Sequence, residues 1–204
     1  MTVIQVGAFI VSGLFAGVLA GFLGIGGGTV LVPILITLGY APIQAVATSS
    51  LAIIITSLSG SFQNWRMGYL DFKRVALLGL PAMITAQLGV LTASRLPESL
   101  LLIAFATLLA LNIYLVGVRK RLAQQPNSDG TPAPRINPVG ARLLTGGVAG
   151  FLAGLLGIGG GVIMVPLQML LLGETIKRAI QTSLGVIVLT AIASTIGHAI
   201  QGNV

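Results

Sequence analysis

Four glycines within five residues occur twice in the chain, and their spacing suggests a site for chemistry. Residues 24–28 and 157–161 both read Gly-Ile-Gly-Gly-Gly and start 133 residues apart. Glycine weakens a helix and permits backbone conformations that other residues avoid. We therefore expect a helix to break at each copy. The free N–H groups and the positive dipole end of the half-helix that follows suit an anion.

Hydroxyl side chains follow both glycine clusters at matching positions. A hydroxyl can donate to an oxyanion without a buried charge, although it can equally bond to its own helix or to a neighbouring one. Close helix packing is the corresponding alternative for the glycines. We predict that the substrate-binding residues are Gly26, Gly27, Gly28, Thr48, Ser49, Ser50, Gly159, Gly160, Gly161, Thr182 and Ser183.

His198 is the only histidine, and Asn64 is its counterpart in the first half of the chain. A histidine near the end of a span can carry a proton in anion–proton coupling, because imidazole titrates near neutrality. The alternative is an interfacial histidine in contact with water. Asp71 and Glu174 fall in loops, where we expect them to be solvated.

The composition indicates an all-α polytopic integral membrane protein. The chain is 55% hydrophobic and 7% charged, and residues 1–65 contain no Asp, Glu, Lys or Arg. Uncharged apolar runs of about 18 residues or more are typical of membrane spans. The net charge of +7 fits cytoplasmic loops better than nucleic-acid binding. We expect membrane lipid and a small anionic solute as partners, no nucleic acid, and no metal or cofactor; a homo-oligomer is left open.

The spans follow from the apolar runs and their breaks. Residues 3–40 are too long for one helical crossing, so they should form two segments broken at the glycines. Further helices are expected at about 43–65, 75–94 with a kink at Pro81, 99–118 and 179–200. Trp65 and Tyr69 flank the first charged loop, as interfacial anchors do.

The chain is a tandem duplication. The phrases at 13–33 and 146–166 share 14 of 21 residues. We divide the chain into a first repeat (1–121), a basic flexible linker (122–142) and a second repeat (143–204) that ends two spans early. Because the second repeat is shorter than the first, we predict that the full protein has about 250 to 260 residues or that this copy is naturally truncated. The glycines spaced by four before each cluster should be packing faces: Gly13, Gly17, Gly21, Gly146, Gly150 and Gly154.

Charge placement indicates the orientation in a cell membrane. With the basic linker in the cytoplasm, counting spans backwards puts the loop at 95–98 outside and the loop at 66–74 inside. Each glycine-broken unit could cross once or twice. Two crossings would make the repeats inverted and would put Lys177 and Arg178 inside, which the charges favour.

The duplicated glycine phrase, followed each time by Ala-x-x-Thr-Ser, resembles the TauE/SafE family over nearly the whole chain. The resemblance implies an inner-membrane permease of two related halves, in a family described as exporters of sulfite or sulfoacetate and as anion transporters. Members are generally longer, with seven or more spans.

We therefore expect a secondary transporter of a small anion, such as sulfite, an organosulfonate or a related oxoanion or carboxylate, rather than an enzyme. A hydrolase pairing Ser49 or Ser183 with His198 would lack an acidic orienting residue within a span. A dinucleotide site would need a preceding strand. The stronger alternative is a membrane scaffold or assembly subunit, although a scaffold gains nothing obvious from two broken helices.

Overall fold

The computed structural model describes residues 13–14, 17–18, 27–124 and 138–203. All regular structure in these ranges is helical, which confirms the all-α prediction. The described helices are α1 (Gly28–Thr37), α2 (Pro42–Arg66), α3 (Phe72–Ala93), α4 (Glu98–Gln124), α5 (Pro138–Leu156), α6 (Gly161–Leu172) and α7 (Ile176–Ile200). Helices α2, α3, α4, α5 and α7 are long and apolar enough to cross a membrane. Helices α1 and α6, of 10 and 12 residues, are too short to do so.

The helix ends follow local sequence signals. Helix α2 begins with Pro42, whose missing N–H is harmless in a first turn. Asp71 and Thr175 cap α3 and α7, because each side chain accepts a hydrogen bond from the backbone N–H three residues on, at 3.2 and 3.5 Å. Gly173 ends α6 with φ 62°, a left-handed conformation that suits glycine.

Two ends differ from those expected. Helix α4 runs to Gln124 instead of stopping near residue 118, because Arg, Lys, Leu, Ala and Gln are good helix formers and basic residues are favourable at a helix C-terminus. Helix α5 begins at Pro138, five residues before the expected start of the second repeat. The remaining linker residues, 125–137, lie outside the described part of the chain.

Helices α2 and α7 run antiparallel through the middle of the protein. Ser50 meets Ser194, with the two Oγ atoms 3.1 Å apart. Further along, Gly60 lies against Leu184. At one end the Nζ atom of Lys177 lies 4.9 Å from the centre of the Tyr69 ring. The residue numbers rise in one helix as they fall in the other, which fixes the antiparallel arrangement.

The loops lie on two faces. We call the side with the loops at 67–71 and 173–175 the basic face, and the opposite side, with residues 38–41, 94–97 and 201–203, the distal face. The distal residues are joined by a hydrogen bond of 2.9 Å from Asn203 Nδ2 to Ser94 Oγ. The basic residues with described side chains at or near the basic face are Arg66, Lys73, Arg74, Arg142, Lys177 and Arg178.

Helices α3 and α5 pack in parallel at very close range. A methyl group added at Gly150 would collide with the backbone of Ala82, so only glycine allows the contact. Gly146 and Gly154 make the same approach to Leu78 and Ala86, which confirms their prediction as a packing face. In the first copy, a methyl group added at Gly17 would meet only a methyl of Thr56, at 3.9 Å, and one added at Gly13 would meet nothing within 4 Å among the described residues. Gly21 lies outside the described residues.

Helices α5 and α6 form a hairpin that enters and leaves at the basic face. Helix α5 starts there, parallel to α3, and ends at Leu156 inside the protein. Helix α6 returns, and Glu174 directly after it forms an ion pair with Arg74 of α3, 2.9 Å from oxygen to nitrogen. The broken unit of the second half thus turns back inside the protein, with both of its ends at the basic face, and corresponds neither to one full crossing nor to two.

The outer surface is apolar. On α3, Leu80, Ile84 and Leu88 recur every four residues and are 62, 68 and 53% exposed. Such a continuous apolar stripe suits contact with lipid. Trp65 and Tyr69, the expected interfacial anchors, are both exposed at the basic face.

The α3–α5 contact gives the first testable prediction. Gly150→Ala should destabilise the fold by about 1–3 kcal/mol, because the added methyl overpacks against Ala82. Gly147→Ala is the matched control on the same helix, since its methyl would meet Thr85 at an ordinary 3.7 Å. Thermal unfolding of the detergent-purified variants measures both. Equal stability of the two variants would contradict the close packing described above.

Candidate functional site

The two short helices begin beside each other at the centre of the protein. Gly27 caps α1 with φ 76° and ψ −16°, and Gly160 caps α6 with φ 75° and ψ −15°. Both are left-handed conformations, which explains why glycine stands at both positions. Gly28 lies against Gly157 and Ile158, so the two starts touch.

From this shared start the two helices run in opposite directions. Helix α1 leads to the distal face and α6 to the basic face. Both therefore point their N-terminal, positive dipole ends at the centre. The backbone N–H groups of Gly28 and Thr29, and of Gly161 and Val162, donate to no acceptor among the described residues. N–H groups at the start of a helix are the kind of donor that a negatively charged ligand uses.

Hydroxyl groups from the two central helices bind the carbonyl groups of the second break. Ser49 Oγ on α2 donates to the Gly157 carbonyl oxygen at 2.8 Å. Thr190 Oγ1 on α7 lies 3.4 Å from the Gly159 carbonyl oxygen. The break thus lies between α2 and α7, whose hydroxyls satisfy these two carbonyl groups inside the protein.

A polar pocket lies where the break meets the two central helices. Ile53 and Ile187, which both touch Gly159, are halfway along the 25-residue helices α2 and α7. The pocket is lined by Ser50, Ile53, Ala153, Gly159, Thr190, Ala191 and Ser194. All seven residues are uncharged, and the space between them has no room for a water molecule. We call it the central pocket.

The central pocket is closed by a contact between serines. Ser50 Oγ lies 3.1 Å from Ser194 Oγ, and Ser50 Oγ also donates to the Val46 carbonyl oxygen at 3.0 Å. If the two helices separate at this point, both hydroxyls become available to a ligand. Neutral donors of this kind can hold an anion without a permanently buried positive charge.

The residues predicted to bind substrate fall into three groups. At or next to the centre are Gly27, Gly28, Ser49, Ser50, Gly159, Gly160 and Gly161. Thr48 is exposed, and Thr182 lies at the basic face in a separate cavity. Ser183 is fully buried, and its hydroxyl has no partner among the described residues. Gly26 lies outside the described residues.

His198 is fully buried near the distal end of α7, in contrast to the water-exposed alternative. Its Nδ1 atom lies 3.3 Å from Nδ2 of Asn203, while Nε2 has no hydrogen-bond partner among the described residues. Asn64, near the basic end of α2, is 7% exposed, and its Nδ2 atom likewise lacks a partner there. The two residues are thus buried at opposite ends of antiparallel helices.

The expectation that Glu174 is solvated is wrong. Its side chain is 10% exposed and pairs with Arg74, whereas the Asp71 side chain, also paired with Arg74 at 2.9 Å, is 49% exposed. Glu174 is drawn inward because the α6–α7 loop packs against the start of α3. In the sequence, Glu174 lies between two apolar helices, as exposed loop residues do. Composition therefore could not reveal its pairing with Arg74.

Thr190 and Ser194 belong to the central pocket but were not among the predicted residues. A usable signal exists in the sequence. Ser183, Thr190 and Ser194 are spaced by seven and four, which puts them on one face of a helix. The Thr-Ser motif at the start of α7 thus continues as a hydroxyl stripe.

Apolar helices of spanning length, together with two short helices that begin beside a buried polar pocket, indicate a multi-pass membrane protein. Comparison with known proteins agrees with this class. The family described as sulfite exporter TauE/SafE matches residues 9–204. The chain therefore belongs to the TauE/SafE family of membrane transporters. No solved structure matches it.

Individual relatives are similarly described. The chain is 32% identical to the probable membrane transporter protein YunE of Bacillus subtilis, over 96% of this chain and 78% of YunE. It is 30% identical to YjnA of the same organism, also described as a probable membrane transporter, over 97% of this chain and 80% of YjnA. The sulfite exporter TauE/SafE family protein 1 of Arabidopsis thaliana is 28% identical over 52% of this chain and 25% of its own length.

The hydrogen bond at the break gives the second prediction. Ser49→Ala should lower the stability of the fold by about 1–3 kcal/mol, because the buried Gly157 carbonyl loses its donor. The neighbouring Thr48→Ala is the control, with a change within about 0.5 kcal/mol expected for an exposed side chain. Thermal unfolding in detergent compares them. A neutral Ser49→Ala would show that the bond does not hold the break.

Proposed function

We propose that the protein is a secondary transporter of a small anion, and that the anion is sulfite, an organosulfonate or a related oxoanion or carboxylate. The observation that carries the proposal is the meeting of two half-helix N-termini beside the central pocket. Unpaired N–H groups and serine hydroxyls are the donors that an oxyanion requires. Membership of a family named for sulfite export supports the substrate class.

The proposed architecture is a pair of inverted repeats. In the sequence alignment α2 matches α7 at an offset of 134, and these two helices run antiparallel. The contact of Ser50 with Ser194 has its counterpart in Leu184 with Gly60 under the same offset. A pseudo-two-fold axis in the membrane plane explains both observations. Transporters with inverted repeats and broken helices bind substrate where the repeats meet.

We assign the basic face to the cytoplasm of a cell membrane. Six basic residues with described side chains lie at or near that face, and the end of α4 that carries Arg119, Lys120 and Arg121 lies on the same side, while Arg95 is the basic residue of the described distal loops. Positive charge favours the cytoplasmic side. The linker at 122–142 follows a helix that runs from the distal to the basic face, so it belongs to the same side.

Substrate entry requires the central pocket to open, because it has no room for a solute in this conformation. The Ser50–Ser194 contact belongs to the closed form. Movement of one half against the other would part α2 and α7 and free both hydroxyls. Alternating access in transporters with two repeats involves the same kind of movement, in which one repeat rocks against the other around a fixed site.

The transport test uses serine variants. Substitutions at Gly160 are unsuitable, because φ is 75° and a side chain would lie 2.7 Å from the Ala149 carbonyl oxygen, so misfolding would confuse the result. Ser50→Ala and Ser194→Ala should each lower kcat/KM by about tenfold or more, since each removes a hydrogen bond to a charged solute. Uptake of sulfite, sulfoacetate, sulfate and acetate into proteoliposomes measures this.

Ser57→Ala is the matched control for the transport test. Ser57 is a buried serine on the same helix as Ser50, and its hydroxyl donates to its own helix at Ile53, 2.6 Å away. Its removal should leave transport unchanged. If folded wild-type protein moves none of the anions, the scaffold alternative is favoured. If transport occurs but survives both pocket variants, the central pocket is not the binding site.

We further propose that His198 couples anion movement to protons. Its buried, unpartnered Nε2 and its contact with Asn203, which in turn bonds to Ser94 at the distal face, link the imidazole to the surface. His198→Asn introduces the residue found at position 64. This variant should keep anion exchange but lose acceleration by an imposed proton gradient. Gradient-driven uptake measured beside exchange tests it, and unchanged acceleration would remove His198 from coupling.

A further inference from the structure

A second polar cavity lies at the basic face, apart from the central pocket. It has a volume of about 280 Å³ and opens to the outside. Its lining residues are Gly68, Tyr69, Asp71, Arg74, Arg178, Gln181 and Thr182. The side chains include two arginines and one aspartate, so the lining carries a net positive charge. We call it the basic-face cavity.

Three hydrogen-bond donors of the cavity come from one face of α7. Gln181 and Thr182 follow Arg178 by three and four residues, which puts both side chains on the same side of the helix as Arg178. The Arg178 guanidinium forms no ion pair with a described carboxylate, whereas Arg74 is paired with both Asp71 and Glu174. Arg178 is therefore the arginine of the cavity whose guanidinium has no ion pair among the described residues.

Thr182 adds a neutral donor to the cavity. The residue is 5% exposed, and its hydroxyl makes no hydrogen bond within the described part of the chain. The hydroxyl oxygen is not among the solvent-inaccessible polar atoms that lack a partner, so it is open to the cavity that the residue lines. A ligand in the cavity can therefore accept a hydrogen bond from it.

We propose that the basic-face cavity binds a small oxyanion, with Arg178, Gln181 and Thr182 as donors. The ligand class is a sulfonate, a sulfur oxoanion or a carboxylate, because each of these has two or three oxygen atoms that can accept hydrogen bonds from the three side chains. The cavity is a surface site, distinct from the central one.

The position of the cavity fits a route to the central pocket along α7. Ser183, buried and without a partner, follows Thr182 directly, and Thr190 and Ser194 line the central pocket. Thr182 and Ser194 are about 18 Å apart along the helix axis. The cavity therefore lies at the end of α7 where the row of hydroxyls begins, and the other end of that row lines the central pocket.

The test is equilibrium binding of methanesulfonate to the purified full-length chain in detergent at fixed ionic strength. Trp65 is the only tryptophan, and it precedes the cavity-lining residues Gly68 and Tyr69 by three and four positions, so its emission is the nearest intrinsic reporter. The titration should saturate. Arg178→Gln and Thr182→Val should each raise the apparent Kd by about tenfold, since each removes a donor to a charged ligand.

Lys73→Gln is the matched control, because it removes the same charge from the same face without lining the cavity. Its Kd should stay within about twofold of the wild type. Ser50→Ala and Ser194→Ala, which alter the central pocket, should leave the Trp65 titration unchanged. All variants are first shown to be monodisperse and to unfold at the wild-type temperature, so a loss of binding is not a loss of fold.

Three outcomes would overturn the proposal: no saturation, an equal effect of Lys73→Gln, or loss of the signal only in the central variants. Transport is scored separately. Binding in the cavity without transport would contradict the proposed function alone. Transport without binding in the cavity would contradict the surface site alone.

Discussion

The structure depends on the need to satisfy backbone polar groups where a helix breaks inside an apolar environment. An unpaired N–H or C=O in lipid costs several kcal/mol, so a break must lie within protein. At the second break, α2 supplies Ser49 for the Gly157 carbonyl, and α7 brings Thr190 near that of Gly159. The breaks therefore require these two helices to flank them, which fixes the centre of the fold.

The same glycines set how closely everything else can approach. Gly157 packs on Val46 of α2, and Gly160 packs on Ala149 of α5. Gly150 lets α5 lie against the backbone of α3. Because lipid is as apolar as leucine, such close packing, and not burial of apolar surface, holds membrane helices together. Conformational need and packing thus act on the same positions.

Much of this could be predicted from the sequence, because each prediction rested on a local rule. Helix breaks follow from glycine density, spans from apolar length, and the α5 packing face from spacing by four. The rest depended on which elements meet in space. Thr48 and Thr182 occupy the same place in the repeated motif, yet Thr48 is exposed while Thr182 is buried at a cavity. Only the neighbours differ: the 67–71 loop and Arg74 lie beside Thr182.

This asymmetry between like positions bears on how the protein can work. Two halves that were identical in conformation would present the same opening to both faces. Here the crossing nearer the distal face is a hydroxyl pair, Ser50 with Ser194, while the equivalent crossing nearer the basic face packs Leu184 on Gly60. The basic face has an open cavity, and the centre is closed. The two equivalent crossings therefore differ in what holds the central helices together: a hydrogen bond between neutral side chains at one, and the contact of an apolar side chain with a glycine at the other.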